Sequence, residues 1–169
     1  MSENGKPVLL VDPLSDPLLV RIDGRGSFQN SASLRDFVNE MIERGRRRFV
    51  IDFRHCSSMD STFLGVLAGM ALTLRRADPP GSVVLTRLAP RNLELVFNLG
   101  LHRLLTVDAG EQPELSTAQA RVIDSQDRSE IDRARLVLEA HENLVEADAS
   151  NLGRFQDVLQ LLRRKVSSS

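Results

Sequence analysis

The part of the chain up to Val107 alternates between short apolar runs and segments with helical periodicity, and this alternation constrains the fold most strongly. Apolar runs bounded by Pro, Gly or Asp predict five strands, at residues 7–11, 18–22, 49–53, 82–86 and 101–107. Helical spacing follows Ser31, Ser61 and Pro90. The order β-β-α-β-α-β-α-β predicts an α/β fold, with a mixed, mostly parallel sheet of about four to five strands packed by helices.

Two of the intervening segments carry further detail. Residues 24–30 (GRGSFQN) are rich in glycine and polar side chains and predict a loop before the first helix. Residues 61–76 are apolar on almost every side, so the helix they predict is expected to be largely buried.

The composition and the hydrophobic pattern of the sequence change after Asp108. We expect an α/β domain over residues 6–108, a polar linker over 109–128 and a helical C-terminal extension over 129–166. The extension is predicted to form two amphipathic helices, the first with Ser129 at its N-terminus. Their apolar stripes must pack on the chain's own domain, on a second copy in a homodimer, or on a partner.

Composition excludes several classes of function. A net charge of −1, a pI near 6.3 and the lack of Trp and Tyr argue against binding to nucleic acid or to an anionic membrane. The single cysteine, Cys56, fits a reducing compartment. Residues 1–6 are polar and do not resemble a signal peptide, and no apolar run approaches the roughly 20 residues of a membrane helix. We therefore expect a cytoplasmic protein.

Motifs for cofactor and metal chemistry are missing from the sequence. It contains no GxxxxGK[ST], no GxGxxG after a strand, no CxxC and no HExxH. The three histidines, His55, His102 and His141, fall in three different predicted elements without ligand spacing around them. We expect neither a metal nor a cofactor.

Ser61 is the candidate functional residue, because it lies beside Asp60 where a predicted strand and turn lead into the buried helix. Its hydroxyl can cap the helix, attack a substrate or accept a phosphoryl group. Attack is disfavoured, since the flanking glycines of a GxSxG elbow are missing and Asp60 opposes an alkoxide. The residues alone do not decide between the other two roles of the Ser61 hydroxyl, as a helix cap and as a phosphoacceptor.

Residues 59–66, MDSTFLGV, resemble the MDS[ST]GLGV segment of STAS domains, particularly those of bacterial anti-anti-sigma factors. The resemblance covers roughly residues 7–107 and includes the LFxxxGL-like stretch that ends at Leu101. It implies a STAS-like fold and a non-enzymatic anti-sigma factor antagonist that works by partner switching. By this resemblance, an anti-sigma factor that is also a serine kinase binds the unmodified chain and phosphorylates Ser61 with its own ATP. A metal-dependent serine phosphatase reverses the modification.

This chain departs from that family pattern at two places near Ser61. Phe63 replaces the motif glycine, and the residue leaves open whether its ring lies in the core or faces the partner. Ser27 stands where many relatives carry an acidic residue, so Phe28 and Asn30 are expected to contribute contacts instead. The predicted partner-binding residues are Ser27, Phe28, Asn30, Met59, Asp60, Thr62, Phe63 and Leu64. The alternative is a STAS scaffold or oligomerising regulator in which Ser61 is only a helix cap.

Overall fold

The computed structural model describes residues 6–108 and 111–168, so residues 1–5, most of the segment we compared with signal peptides, and the first two residues of the predicted linker lie outside it. The strands are β1 (Val8–Asp12), β2 (Leu18–Gly26), β3 (Arg48–Asp52), β4 (Cys56–Met59), β5 (Ser82–Thr86), β6 (Thr106–Asp108) and β7 (Arg121–Ile123). The helices are α1 (Phe28–Glu43), α2 (Ser61–Arg76), α3 (Pro90–Asn98), α4 (Glu130–Ala147) and α5 (Leu152–Ser167). Short 3₁₀ turns cover Leu101–Arg103 and Ala149–Asn151.

The strands form one mixed sheet in the order β6-β5-β3-β2-β1-β7, with β4 paired to the end of β2. The pairs β2–β3, β3–β5, β5–β6 and β2–β4 are parallel, whereas β1 runs antiparallel to both β2 and β7. The predicted α/β class with a mostly parallel sheet is confirmed. Within the described residues the sheet has seven strands, more than predicted, because β4 is short and polar and β7 has only three residues.

The predicted loop at residues 24–30 is wrong. Strand β2 continues to Gly26, and α1 begins at Phe28 with Ser27 as its N-cap. Ser27 and Asn30 form a reciprocal capping box, in which Ser27 Oγ accepts from Gln29 N (3.3 Å) and Asn30 Oδ1 accepts from Ser27 N (3.0 Å). The first turn of α1 is polar, so apolar periodicity did not reveal it.

The core lies on the helical side of the sheet, with α2 at its centre. Phe63, Leu67 and Leu74 of α2 are fully buried, which confirms the prediction of a buried helix. Helix α4 packs over α2 and adds Leu136 and Leu144 to the same core. Of the three arrangements left open for the extension, the structure therefore shows packing on the chain's own domain. Among the described helices, none combines the length and the hydropathy that a bilayer crossing requires.

Candidate phosphorylation and partner-binding site

Asp60 joins the starts of the two helices that flank the site. Its Oδ1 accepts from the backbone N–H of Phe63 (2.9 Å) and caps α2, while its Oδ2 accepts from the backbone N–H of Phe28 (3.0 Å) at the start of α1. Its own N–H donates to the carbonyl oxygen of Gly26 (3.0 Å) at the end of β2. Asp60 is thus the N-cap of α2, which leaves the Ser61 hydroxyl for another role.

Replacing Asp60 with alanine is expected to lower the free energy of unfolding by about 1–2 kcal/mol, because the cap of α2 is lost and an N–H of α1 loses its acceptor. Urea denaturation measures this change. Asp60→Asn is the matched control, since its one amide oxygen can still accept from Phe63, and we expect an intermediate loss. Equal stability of Asp60→Ala and the parent chain would contradict the capping assignment.

Ser61 is the first residue of α2 and is partly buried, and its hydroxyl contacts the C-terminal extension. Ser61 Oγ lies 2.9 Å from Nε2 of His141 on α4. The other ring nitrogen, Nδ1, lies 2.7 Å from the carbonyl oxygen of Val137. Because a carbonyl can only accept, Nδ1 carries a proton, and in the neutral ring Nε2 accepts from the Ser61 hydroxyl.

His141 is the residue that sequence reasoning missed. We considered it only as one of three scattered histidines, but its side chain is 4% exposed and it pairs with a serine 80 positions earlier. The one signal in the sequence is its place seven residues after Ala134, on the stripe by which α4 meets the domain. A histidine on such a stripe does not identify its partner.

Two glycines of α2 let α4 approach closely at this point. A Cβ at Gly65 would lie 2.2 Å from the carbonyl oxygen of Ala140, and a Cβ at Gly69 would lie 2.4 Å from Nδ2 of Asn143. That Nδ2 also donates to the carbonyl oxygen of Gly65 (3.2 Å). Helix α4 therefore lies directly on the N-terminal half of α2, beside Ser61.

Most of the predicted partner-binding side chains are buried in this structure. Phe63 is fully buried against Gly26, where an added Cβ would lie 2.9 Å from its ring. Of the two positions left open for this ring, the core and the partner surface, the structure has it in the core. The predicted apolar rim of Met59, Phe63 and Leu64 is thus not at the surface, because all three side chains belong to the hydrophobic core. The buried members of the predicted set are Ser27, Asn30, Met59, Thr62, Phe63 and Leu64.

Phe28 and Asp60 are the members with accessible surface. The Phe28 ring is 43% exposed and is held near the start of α2 by the hydrogen bond from its N–H to Asp60. The structure therefore brings an exposed aromatic ring, a carboxylate and the Ser61 backbone together at one end of α2.

The other nucleophile near this region is less suited to chemistry. Burial raises the pKa of the Cys56 thiol, and the hydrogen bonds that it makes with the backbone of Gly26 and Ser58 lower it by less. No group of three or more His, Cys, Asp or Glu side chains with metal-binding geometry occurs among residues 6–108 and 111–168. The Ser61 hydroxyl is the group on which a modification can be proposed.

The mixed sheet with helices packed on it defines an α/β domain, and comparison with known proteins places that domain in a family. The family model described as "Mlab, STAS domain" matches residues 10–107, which is more than half of the chain. The chain therefore belongs to the STAS domain family. Helices α4 and α5 lie outside the matched range.

Solved structures of similar proteins include two described as anti-sigma factor antagonists. SpoIIAA in its unphosphorylated form is 20% identical over 56% of this chain and 80% of its own, with a TM-score of 0.46. A putative anti-sigma factor antagonist from Thermotoga maritima is 15% identical over 53% of this chain and 77% of its own, with a TM-score of 0.47.

Proposed function

We propose that this protein is an anti-sigma factor antagonist that works by partner switching, with Ser61 as the phosphoacceptor. The observation that carries the proposal is the position of Ser61: it is the first residue of α2, directly after the Asp60 cap, in the MDSTFLGV segment of a STAS domain. Unmodified, the chain binds an anti-sigma factor that is also a serine kinase. Phosphorylated, it releases that partner.

The modification itself is a phosphoryl transfer from ATP held by the kinase. The Ser61 oxygen forms a bond to the γ-phosphorus, the bond from that phosphorus to the β,γ-bridging oxygen breaks, ADP leaves, and the hydroxyl proton passes to a base of the kinase. The chain itself then needs no cofactor. A metal-dependent serine phosphatase would hydrolyse the ester and return Ser61 to its starting state.

Electrostatics provide the switch. A phosphoserine carries about 1.5 to 2 negative charges at neutral pH. The helix N-terminus favours that charge, but the Asp60 carboxylate is the neighbouring residue and already occupies the cap. A partner that binds the unmodified surface would meet concentrated negative charge and would be repelled.

The exposed part of the proposed partner surface centres on Phe28. Its half-exposed ring beside Asp60 is a suitable anchor for a protein contact. Ser27 and Asn30 would act by holding the start of α1 in place through their capping box. Met59, Thr62, Phe63 and Leu64 would support α2 from within the core.

The test is incubation with a candidate anti-sigma factor kinase and ATP, followed by mass spectrometry. We expect one phosphate on Ser61 and at least a tenfold loss of affinity for the kinase. Ser61→Ala should stay unmodified and keep its affinity. A phosphate at another residue, or unchanged affinity after modification of Ser61, would overturn the switch.

The hydrogen bond between Ser61 and His141 favours a second candidate, a STAS scaffold in which the hydroxyl only ties α4 to the domain. The same experiment separates the two, because a scaffold would remain unmodified by the kinase and would assemble equally well as Ser61→Ala. A homodimer formed through the C-terminal helices belongs to this candidate, and light scattering of the two forms measures it.

The Ser61–His141 pair also resembles an activated nucleophile. Such a nucleophile needs two further features: a third group that orients the histidine, and a site that binds the substrate. Here Nδ1 is bonded to the carbonyl oxygen of Val137. Ser61 does not line the cavity between α2 and α4 that includes Gly69 and Asn143, nor the larger one beside Phe28 and Arg128. The geometry therefore favours a regulatory serine over a catalytic one.

A further inference from the structure

We propose that helix α4 is a displaceable cover over Ser61. The same surface of α2 either binds α4 or presents Ser61 for modification and partner binding. This inference rests on the proposed role of Ser61 as phosphoacceptor and adds a level of regulation in the same chain.

The His141 ring sterically blocks the Ser61 hydroxyl. Ser61 Oγ and His141 Nε2 are 2.9 Å apart, a hydrogen-bond distance with no room for another atom between them. His141 is itself buried, at 4% exposed, and its ring makes a T-shaped contact with the ring of Phe155 of α5, with centroids 4.9 Å apart. A phosphoryl group on Ser61 Oγ needs the space that this ring occupies.

Helix α4 also covers the surface of α2 beyond the Ser61 hydroxyl. At Gly65 the two helices are so close that a single added methyl group would collide with the backbone of Ala140, and at Gly69 it would displace the side-chain amide of Asn143. A partner that recognises the start of α2 therefore cannot reach this face of the helix while α4 is in place.

A short segment connects the α4 cover to the domain. Strand β7 pairs with β1 through Leu9–Ile123, Leu10–Val122 and Val11–Arg121, so the chain is held to the sheet up to Ile123. Only residues 124–129 separate that anchor from the start of α4. The cover can therefore leave without separating from the domain, and its short tether keeps its local concentration high.

The interface also carries groups that a partner or a modification can disturb. Arg35 of α1 pairs with Glu139 (2.7 Å), and Arg76 at the end of α2 pairs with Glu146. Because these ion pairs are at least partly exposed, they add little to the stability of the interface and mainly fix the position of α4 against α1 and α2. Burial of Leu136, Ala140 and Leu144 holds the cover closed in the unmodified chain.

Phosphoserine inserted at position 61 during translation tests the cover without any kinase. Hydrogen exchange measured by mass spectrometry should show at least tenfold faster exchange across Glu130–Ala147, with the strands still protected. Phosphoserine at Ser57, an exposed residue of β4, is the matched control and should leave α4 protected. Equal protection of α4 in the Ser61-phosphorylated and unmodified chains would overturn the proposal.

A reversible crosslink tests access directly. Gly69→Cys with Asn143→Cys, in a Cys56→Ala background, places two thiols where α2 and α4 touch. With a candidate kinase and ATP, the oxidised form should be phosphorylated at least tenfold more slowly than the same protein after reduction. Equal rates would overturn the cover while leaving the phosphoacceptor role intact. A kinase that modifies neither form counts against the proposed function alone, since the exchange comparison still decides the cover.

Discussion

Gly65→Ala is expected to push α4 away from α2 and to lower the free energy of unfolding by about 1–3 kcal/mol. The added Cβ would lie 2.2 Å from the carbonyl oxygen of Ala140 and 2.5 Å from its carbonyl carbon. Backbone atoms cannot rotate aside as a side chain can, so the two helices must separate. Alanine favours a helix over glycine by about 1 kcal/mol, which opposes this loss only in part.

Gly153→Ala is the matched control for this prediction. Gly153 also lies in a helix, α5, but a Cβ there would meet no atom within 4 Å. We expect this substitution to raise stability by about 0.5–1 kcal/mol through helix propensity alone. Urea denaturation of the two variants measures the contrast, and hydrogen exchange over α4 shows whether that helix moves. If Gly65→Ala matched Gly153→Ala, the close crossing would be wrong.

The Gly65→Ala substitution also connects stability with the proposed switch. A chain with α4 loosened should offer Ser61 to a kinase faster than the parent chain does, even though it is less stable. If the faster modification came from overall unfolding, other serines of the domain would be phosphorylated as well. Mass spectrometry that finds the phosphate on Ser61 alone would therefore support the loosening of α4.

Phe63→Ala is expected to lower the free energy of unfolding by about 3–5 kcal/mol, a large part of the stability of an ordinary domain. The ring is fully buried, and Gly26 is close enough that only a glycine leaves room for it. The cavity left by the truncation would lie between the start of α2 and the end of β2, next to the Asp60 cap. Urea denaturation measures this loss, and a variant too unstable to fold would show no cooperative unfolding transition.

Phe28→Ala removes the same ring from a surface position and serves as the comparison. With 43% of its side chain exposed, we expect a loss within about 1 kcal/mol and an unchanged fold. In the proposed function its effect should instead fall on partner binding. Similar losses of stability in both variants would contradict the core assignment of Phe63.

Local signals in the sequence predicted most of the fold. Apolar runs and periodicity located α2 and β5 with the bounds that the structure has, and the start of α3 at Pro90, because each pattern is complete within one element. The start of α1 was missed, since its first turn is stabilised by the side chains of Ser27 and Asn30 and carries no apolar stripe. Strands β4 and β7 were missed because their pairing depends on neighbours that are distant in the sequence.

The candidate site also has one part that local sequence signals predict and another that depends on contacts distant in the sequence. Ser61 beside Asp60 at the start of a buried helix could be recognised from residues 59–66, because capping preferences and periodicity act over a few positions. The assignment of the cap to Asp60, the burial of Phe63 and the exposure of Phe28 needed the positions of β2 and α1 as well.

Patterns within the chain were enough to predict a mostly parallel α/β domain, a serine at the start of its buried helix and two amphipathic helices after it. The packing of α4 on α2 and the hydrogen bond between His141 and Ser61 became evident only from the folded chain. The physical reason is the distance along the chain: an amphipathic stripe shows that a helix must be covered, but not by which surface. Here Gly65 leaves room for the backbone of α4 and Gly69 for the side chain of Asn143, and the resulting packing places a histidine 80 positions later against the serine.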